Sequence, residues 1–263
     1  MTDYTIDGKD LILEGYPLRP SFWRAPTDND FGAQMQQKFR LWHDPQMKLK
    51  SLEAKPQEGE MVVAAKYELP ELAAQLELTY TIDGNGAIEV AEVLTVDPAQ
   101  KDMPHLFRFG MELTMPHQYD RICYYGRGPQ ENYSDRKAAA LIGLYTEDVD
   151  DQYYPYIRPQ ESGNKTDVRY WKQIDRSGRG FEIRSDKPFQ ASALPYLTAD
   201  LDDGIEKHQR HSGELTPRDL VNVHIDAVQM GVGGEDSWGS WPRPAYRLPY
   251  GDYSFRFVLI PIR

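Results

Sequence analysis

The residues in this sequence that could do chemistry stand singly or in small groups, so their neighbours decide what each can do. Trp238 closes the run Met230-Gly231-Val232-Gly233-Gly234-Glu235-Asp236-Ser237-Trp238. A tryptophan offers a broad, rigid, electron-rich face to the C–H groups of a sugar and loses little side-chain entropy when ordered. The glycines before it permit backbone angles by which a loop can carry the ring outward. The same ring could instead cap a hairpin inside the core, and residue types alone leave both readings open. Glu131 and Asp135 suggest a glycosidase carboxylate pair, which in a retaining enzyme needs carboxyls about 5–5.5 Å apart. Their surroundings, Gly-Pro-Gln-Glu-Asn-Tyr with Arg127 and Arg136 close in sequence, read instead as a polar loop locked by side-chain hydrogen bonds. Arg24 with Asp28 and Asp30 reads the same way, as an ion network that fixes loop geometry.

The remaining groups assign no metal or nucleophile. His208 and His211 would share a face only if helical, no third ligand is near, and a surface loop is expected. Asp200, Asp202 and Asp203 before Gly204 resemble a calcium loop, but the register departs from that pattern and the closing glutamate is missing. Glu147, Asp148, Asp150 and Asp151 read as a solvated acidic loop. Gly-Val-Gly-Gly lacks the strand–turn–helix context of a dinucleotide site. Cys123 is the only cysteine. It can form no intrachain disulfide, and within the strand-like Arg-Ile-Cys-Tyr-Tyr it is expected to be a buried structural thiol.

The elements that must position these residues are strands. Leu76, Leu78, Tyr80 and Ile82 alternate with polar residues, Asp83-Gly84-Asn85-Gly86 breaks the run, and Ile88 and Val90 resume it, which predicts a hairpin. The alternation slips at Val93, as a β-bulge would make it. A second hairpin is predicted around Arg176–Gly180, between Tyr170–Ile174 and Phe181–Ile183. Val221, Val223 and Ile225 predict a strand with Asn222, His224 and Asp226 on its other face. Tyr253, Phe255, Phe257 and Leu259 predict the last strand. Helix is expected only over Gly32–Trp42 and for one turn over Asp135–Leu141, and Glu53–Glu60 reads as a surface loop. The 19 prolines and 20 glycines fall between strand runs, as turns would. A chain of 263 residues, 40% hydrophobic, can bury a sizeable core. Its formal charge of -11 argues against nucleic acid, and no apolar run approaches the roughly 20 residues of a membrane span.

Four segments are too rich in Gly, Pro, aromatic and charged residues to be ordinary strands. They are Phe22-Trp23-Arg24-Ala25-Pro26-Thr27-Asp28-Asn29-Asp30, Tyr125 to Arg136 with Gly-Arg-Gly-Pro-Gln-Glu-Asn-Tyr, Tyr153 to Gly163, and Met230 to Trp238. In this order they resemble the C-terminal, small-chain domain of family-2 β-galactosidases, from about Leu18 to the last strand. The resemblance implies an all-β fold, a large antiparallel β-supersandwich like that of galactose mutarotase, as one domain over residues 1–263. It implies that the catalytic glutamates lie on a barrel absent from this chain, so no catalytic residue is assigned here and the chain alone is expected to be inactive. The family's aromatic contribution to the substrate site falls on Trp238. Implied partners are the catalytic barrel, other domains of the parent enzyme and a galactoside such as lactose, with the parent a homo-oligomer. No cofactor is expected in this domain, the magnesium and sodium of parent enzymes being bound elsewhere.

The match departs from the family at its start, where only about twenty residues precede the Leu-Arg-Pro segment, and either a cut inside the first sheet or a shortened natural chain is expected. Trp241 finds no place in the motif and is read as packing. A free aldose epimerase on the same fold would need a glutamate base with histidine acids, for which His105, His117 and His224 are the raw material. A stand-alone carbohydrate-binding module is the other alternative. Compartment stays open between cytoplasm and periplasm.

Overall fold

Period-two alternation buries every second side chain of a strand, and this chain applies it over most of its length. The computed structural model describes residues Met1–Arg263. Its strands are β1 (Thr5–Ile6), β2 (Lys9–Asp10), β3 (Arg19–Ser21), β4 (Lys48–Gln57), β5 (Glu60–Leu69), β6 (Ala74–Ile82) and β7 (Ile88–Val96), followed by β8 (Arg108–Pro116), β9 (Arg121–Gly128), β10 (Leu141–Asp148), β11 (Lys165–Ile174), β12 (Gly180–Leu194), β13 (Leu220–Gln229) and β14 (Tyr253–Ile262). Helix is confined to α1 (Asp28–Gly32), α2 (Met35–Lys38), α3 (Thr198–Leu201) and single 3-10 turns. No helix is long and apolar enough to cross a membrane.

Strands β1 and β2 make a small ribbon, and the other 12 form one sheet running β10-β9-β11-β12-β14-β7-β6-β5-β4 with a branch through β13 to β8 and β3. The branch exists because β12 is long enough to serve two partners. Its first part pairs Gly180–Arg184 with β14, and its last part pairs Gln190–Leu194 with β13. Between them Asp186, Lys187 and Pro188 are exposed, and the proline offers no ladder donor. The two arms close over a core of 43 buried residues, with Leu76, Val90, Leu94, Phe257 and Leu259 from one arm and Phe109, Met111, Leu113, Val223 and Ile225 from the other. This is an all-β antiparallel supersandwich.

Both predicted hairpins form, with Ile82 opposite Ile88 and Ile174 opposite Gly180. Four local expectations fail for identifiable reasons. There is no bulge at Val93: β7 runs in unbroken register against β6 and β14, and the inward position is taken by Glu92, fully buried, while Val93 faces out. Glu53–Glu60 is not a loop but the end of β4 and its tight turn into β5. This outermost strand is exposed on both faces and so shows no alternation. Asp135–Leu141 forms turns rather than helix. The Gly32–Trp42 helix is broken into α1, α2 and a 3-10 turn, with Gln34 in a left-handed conformation at φ 58°. The predicted strand over Val221–Ile225 is β13, but its polar face is buried as well. Asn222, His224 and Asp226 lie opposite Thr114, Glu112 and Gly110 of β8, giving the short arm an apolar face toward the core and a polar face under the loops.

Candidate functional site: an exposed tryptophan on a clamped loop

The four unusual segments come together at this polar face. Segment one starts from α1, whose N-terminus is closed by a reciprocal capping box: Thr27 accepts from the Asp30 N–H, and Asp30 accepts from the Thr27 N–H. Asp30 also holds the Arg24 guanidinium in a two-pronged pair at 2.8 and 3.1 Å. Arg24 is fully buried and lies 4.8 Å from the Phe107 ring centre. Its remaining donors reach the carbonyls of Met230 and Gly231 at 2.6 and 3.0 Å. A planar guanidinium can bind a carboxylate and two carbonyls at once, which an ammonium cannot.

Segment two grips the same loop from the other side. Asp135 accepts from the Val232 and Gly233 N–H groups at 3.1 and 2.8 Å. A Cβ at Gly231 would stand 2.4 Å from the Asp135 carboxylate, so the close approach requires glycine. Glu131 accepts from Arg136 at 2.5 Å and from the Gly163 N–H at 2.8 Å, and the Tyr156 hydroxyl donates to it. Burial, helped by this carboxylate, pushes the Tyr156 hydroxyl up to about 12. Both acids therefore spend their oxygens on loop structure. Arg136 is one partner as expected, whereas Arg127 pairs with Asp167 instead, at 2.5 Å. Asn132 locks segment two to β11 by accepting from the Thr166 N–H and hydroxyl at 2.9 and 2.6 Å.

Segment three is anchored from beneath. Glu161 accepts from Arg108 at 3.2 Å and from Gln229 at 3.0 Å, and its N–H donates to the Ala25 carbonyl at 3.1 Å. Arg108 is fully buried and also faces Asp226 at 3.4 Å. Burial raises Asp226 to about 7, with Arg108 opposing that rise and the charges of Glu161 and Glu112 adding to it.

Segment four, thus fixed at residues 230–233, ends in Trp238, which is 91% exposed. Asp236 folds the tip by accepting from the Trp238 N–H at 2.9 Å. This bond leads the causes that hold the Asp236 carboxyl below its ordinary range. The Ser237 carbonyl sits so close to α1 that a Cβ on Gly32 would lie 2.1 Å from it. Trp238 is therefore no core cap: its ring stands in solvent on a loop whose base is tied to the first two segments. Trp241 is packed between Phe39, His105, Lys38 and Arg247.

The other candidates have separate employments. Asp200 pairs with Arg218, Asp202 accepts from the Trp23 indole, and Asp203 binds Arg158 and Arg210. No group of three or more His, Cys, Asp or Glu side chains converges as a metal site. His105 packs on aromatic rings, His117 meets Asp150 at 3.1 Å, and His224 is buried beside Glu112 at 3.4 Å. The three imidazoles do not share a cleft. Cys123 is half-buried rather than buried, and the Thr146 hydroxyl donates to it at 3.5 Å.

Fold and site together define an antiparallel β-supersandwich that presents an aromatic platform on a braced loop. The family model for the β-galactosidase small chain matches residues 1–259, and the chain belongs to that family. It is 35% identical over 263 residues to a β-galactosidase of Priestia megaterium, covering 98% of this chain and 24% of that protein. It is 36% identical over 233 residues to a β-galactosidase of Lactobacillus delbrueckii subsp. bulgaricus, covering 87% and 22%. The chain thus spans about a quarter of the length of these curated relatives. Among solved structures, a galactose mutarotase related enzyme from Lactobacillus acidophilus aligns over 98% of this chain and 88% of its own, with a TM-score of 0.48 and 8% identity.

Proposed function

We propose that this chain serves as the C-terminal domain of a family-2 β-galactosidase that hydrolyses terminal β-D-galactosides such as lactose with retention. Its task is to complete the sugar site with Trp238 and to pack on a catalytic barrel that carries the two glutamates. The observation that carries this reading is a tryptophan 91% exposed at the tip of a loop that the rest of the chain works to hold still. An exposed indole left idle would be an unusual use of so much bracing, whereas a sugar's C–H face stacked on it gains contact with little ordering cost. Asp30, Asp135 and Asp236, in and beneath this loop, are engaged by a cation or by backbone N–H groups, which supports placing the bond-breaking acids outside this chain. Under this reading the domain itself holds no cofactor, and the parent enzyme is a homo-oligomer.

The first test is hydrolysis of a chromogenic β-galactoside by the purified chain alone and mixed with the corresponding catalytic chain. Activity only in the mixture supports the proposal, and activity of the chain alone overturns it. In the complemented enzyme, Trp238→Ala is expected to raise KM by roughly three- to tenfold, the size of a lost stacking contact. Its midpoint of denaturation should stay unchanged, because the ring touches little. Unchanged kinetic constants would remove Trp238 from the sugar site.

A further inference from the structure

The clamps on residues 230–233 fix the base of the Trp238 loop but not its tip, five residues further on. One side chain ties the two together. Asn29, in the first turn of α1, donates its amide N–H to the Val232 carbonyl at 2.8 Å. Its amide oxygen accepts from the Ser237 hydroxyl at 2.8 Å. A single planar amide thus bridges the outgoing limb of the loop to the residue immediately before Trp238.

The bridge is rigid because Asn29 itself is fixed. It stands between Thr27 and Asp30 of the capping box, and Asp30 is pinned by Arg24. The bare α-carbon of Gly32, one turn on, lets the Ser237 backbone settle against the helix. Ser237 and Asp236 are solvent-exposed. Apart from the Asp236 turn, the Asn29–Ser237 bond is the side-chain tie between the loop tip and the body of the fold.

We propose that Asn29 is a positioning residue: its amide sets where the Trp238 ring stands, and through it the affinity for the sugar that stacks there. The proposal rests on the reading of Trp238 as a substrate platform. Asn29 needs both halves of its amide, one to donate and one to accept. Aspartate would set an oxygen against the Val232 carbonyl, and alanine would leave both partners to water.

The test is a double-mutant cycle in the assembled β-galactosidase that carries this chain, with lactose as substrate. Asn29→Ala is expected to raise KM roughly fivefold, as the loss of one part-buried and one exposed hydrogen bond would, and to leave kcat within about twofold. In a Trp238→Ala background the same change should alter KM by less than about twofold, because the ring it positions is gone. Ser237→Ala removes half of the bridge from the loop side without touching α1. It should give a smaller rise in KM that is likewise absent in the Trp238→Ala background, and it decides the matter if Asn29→Ala fails to fold. Losses that add to that of Trp238→Ala, or no change in KM beside a clear Trp238→Ala effect, overturn the role of Asn29 alone. A silent Trp238→Ala overturns the platform reading, and the positioning role falls with it.

Discussion

Arg24→Met should destabilise the chain by about 3–5 kcal/mol, the penalty for stranding one member of a buried ion pair. The guanidinium is fully buried and Asp30 nearly so. Its removal leaves a carboxylate without its cation and two carbonyls, of Met230 and Gly231, without donors. Asp30 keeps only its capping bond to the Thr27 N–H. Urea denaturation of Arg24→Met against the parent chain measures the loss, and a difference under about 1 kcal/mol would show that the pair is replaceable by packing alone. Arg24→Lys should recover little, because one ammonium cannot span a two-pronged carboxylate and two carbonyls. Fluorescence of Trp238 should report the local consequence, since the loop base loses one of its two grips before the fold is lost.

Much of this architecture is legible in the sequence where neighbours in the chain are neighbours in space. The Asp-Gly-Asn-Gly and Ser-Gly-Arg-Gly turns announce their hairpins because each strand pairs with the next. The four segments are conspicuous because their composition suits neither strand nor helix. What the sequence hides depends on distant partners or on polar groups facing inward. Glu92 imitates a bulge because a buried carboxylate at an apolar position looks like a slip in phase. Strand β4 imitates a loop because nothing covers either face, leaving Leu52 62% exposed. Asn29 looks like one more polar residue in Asp-Asn-Asp, since its partners lie 203 and 208 residues away. Arg108 is hidden likewise: its partners, Glu161 and Asp226, lie in a loop and a strand far along the chain. The position of Trp238 is readable from its motif, and the bracing that gives the position meaning is not.

A carboxylate on the inward face of β7 carries the second large effect. Glu92 is fully buried, and neither carboxylate oxygen has a hydrogen-bond partner. Burial, reinforced by the charge of Asp226, raises its pKa well above the ordinary 4.5. The folded state therefore holds this proton more tightly than the unfolded chain does. Stability from that proton is complete below pH 4.5 and is lost as pH climbs from there toward the folded value, by up to about 1.4 kcal/mol per pH unit. Asp226, raised to about 7, loses stability with the same sign over an overlapping window. Glu92→Gln keeps the shape and removes this proton's share of the pH dependence. The variant should gain on the parent as pH climbs from 5 to 7, by at most about 1.4 kcal/mol for each pH unit. Denaturation midpoints at pH 5, 6 and 7 test this, and parallel curves would mean that Glu92 ionises as freely in the fold as outside it.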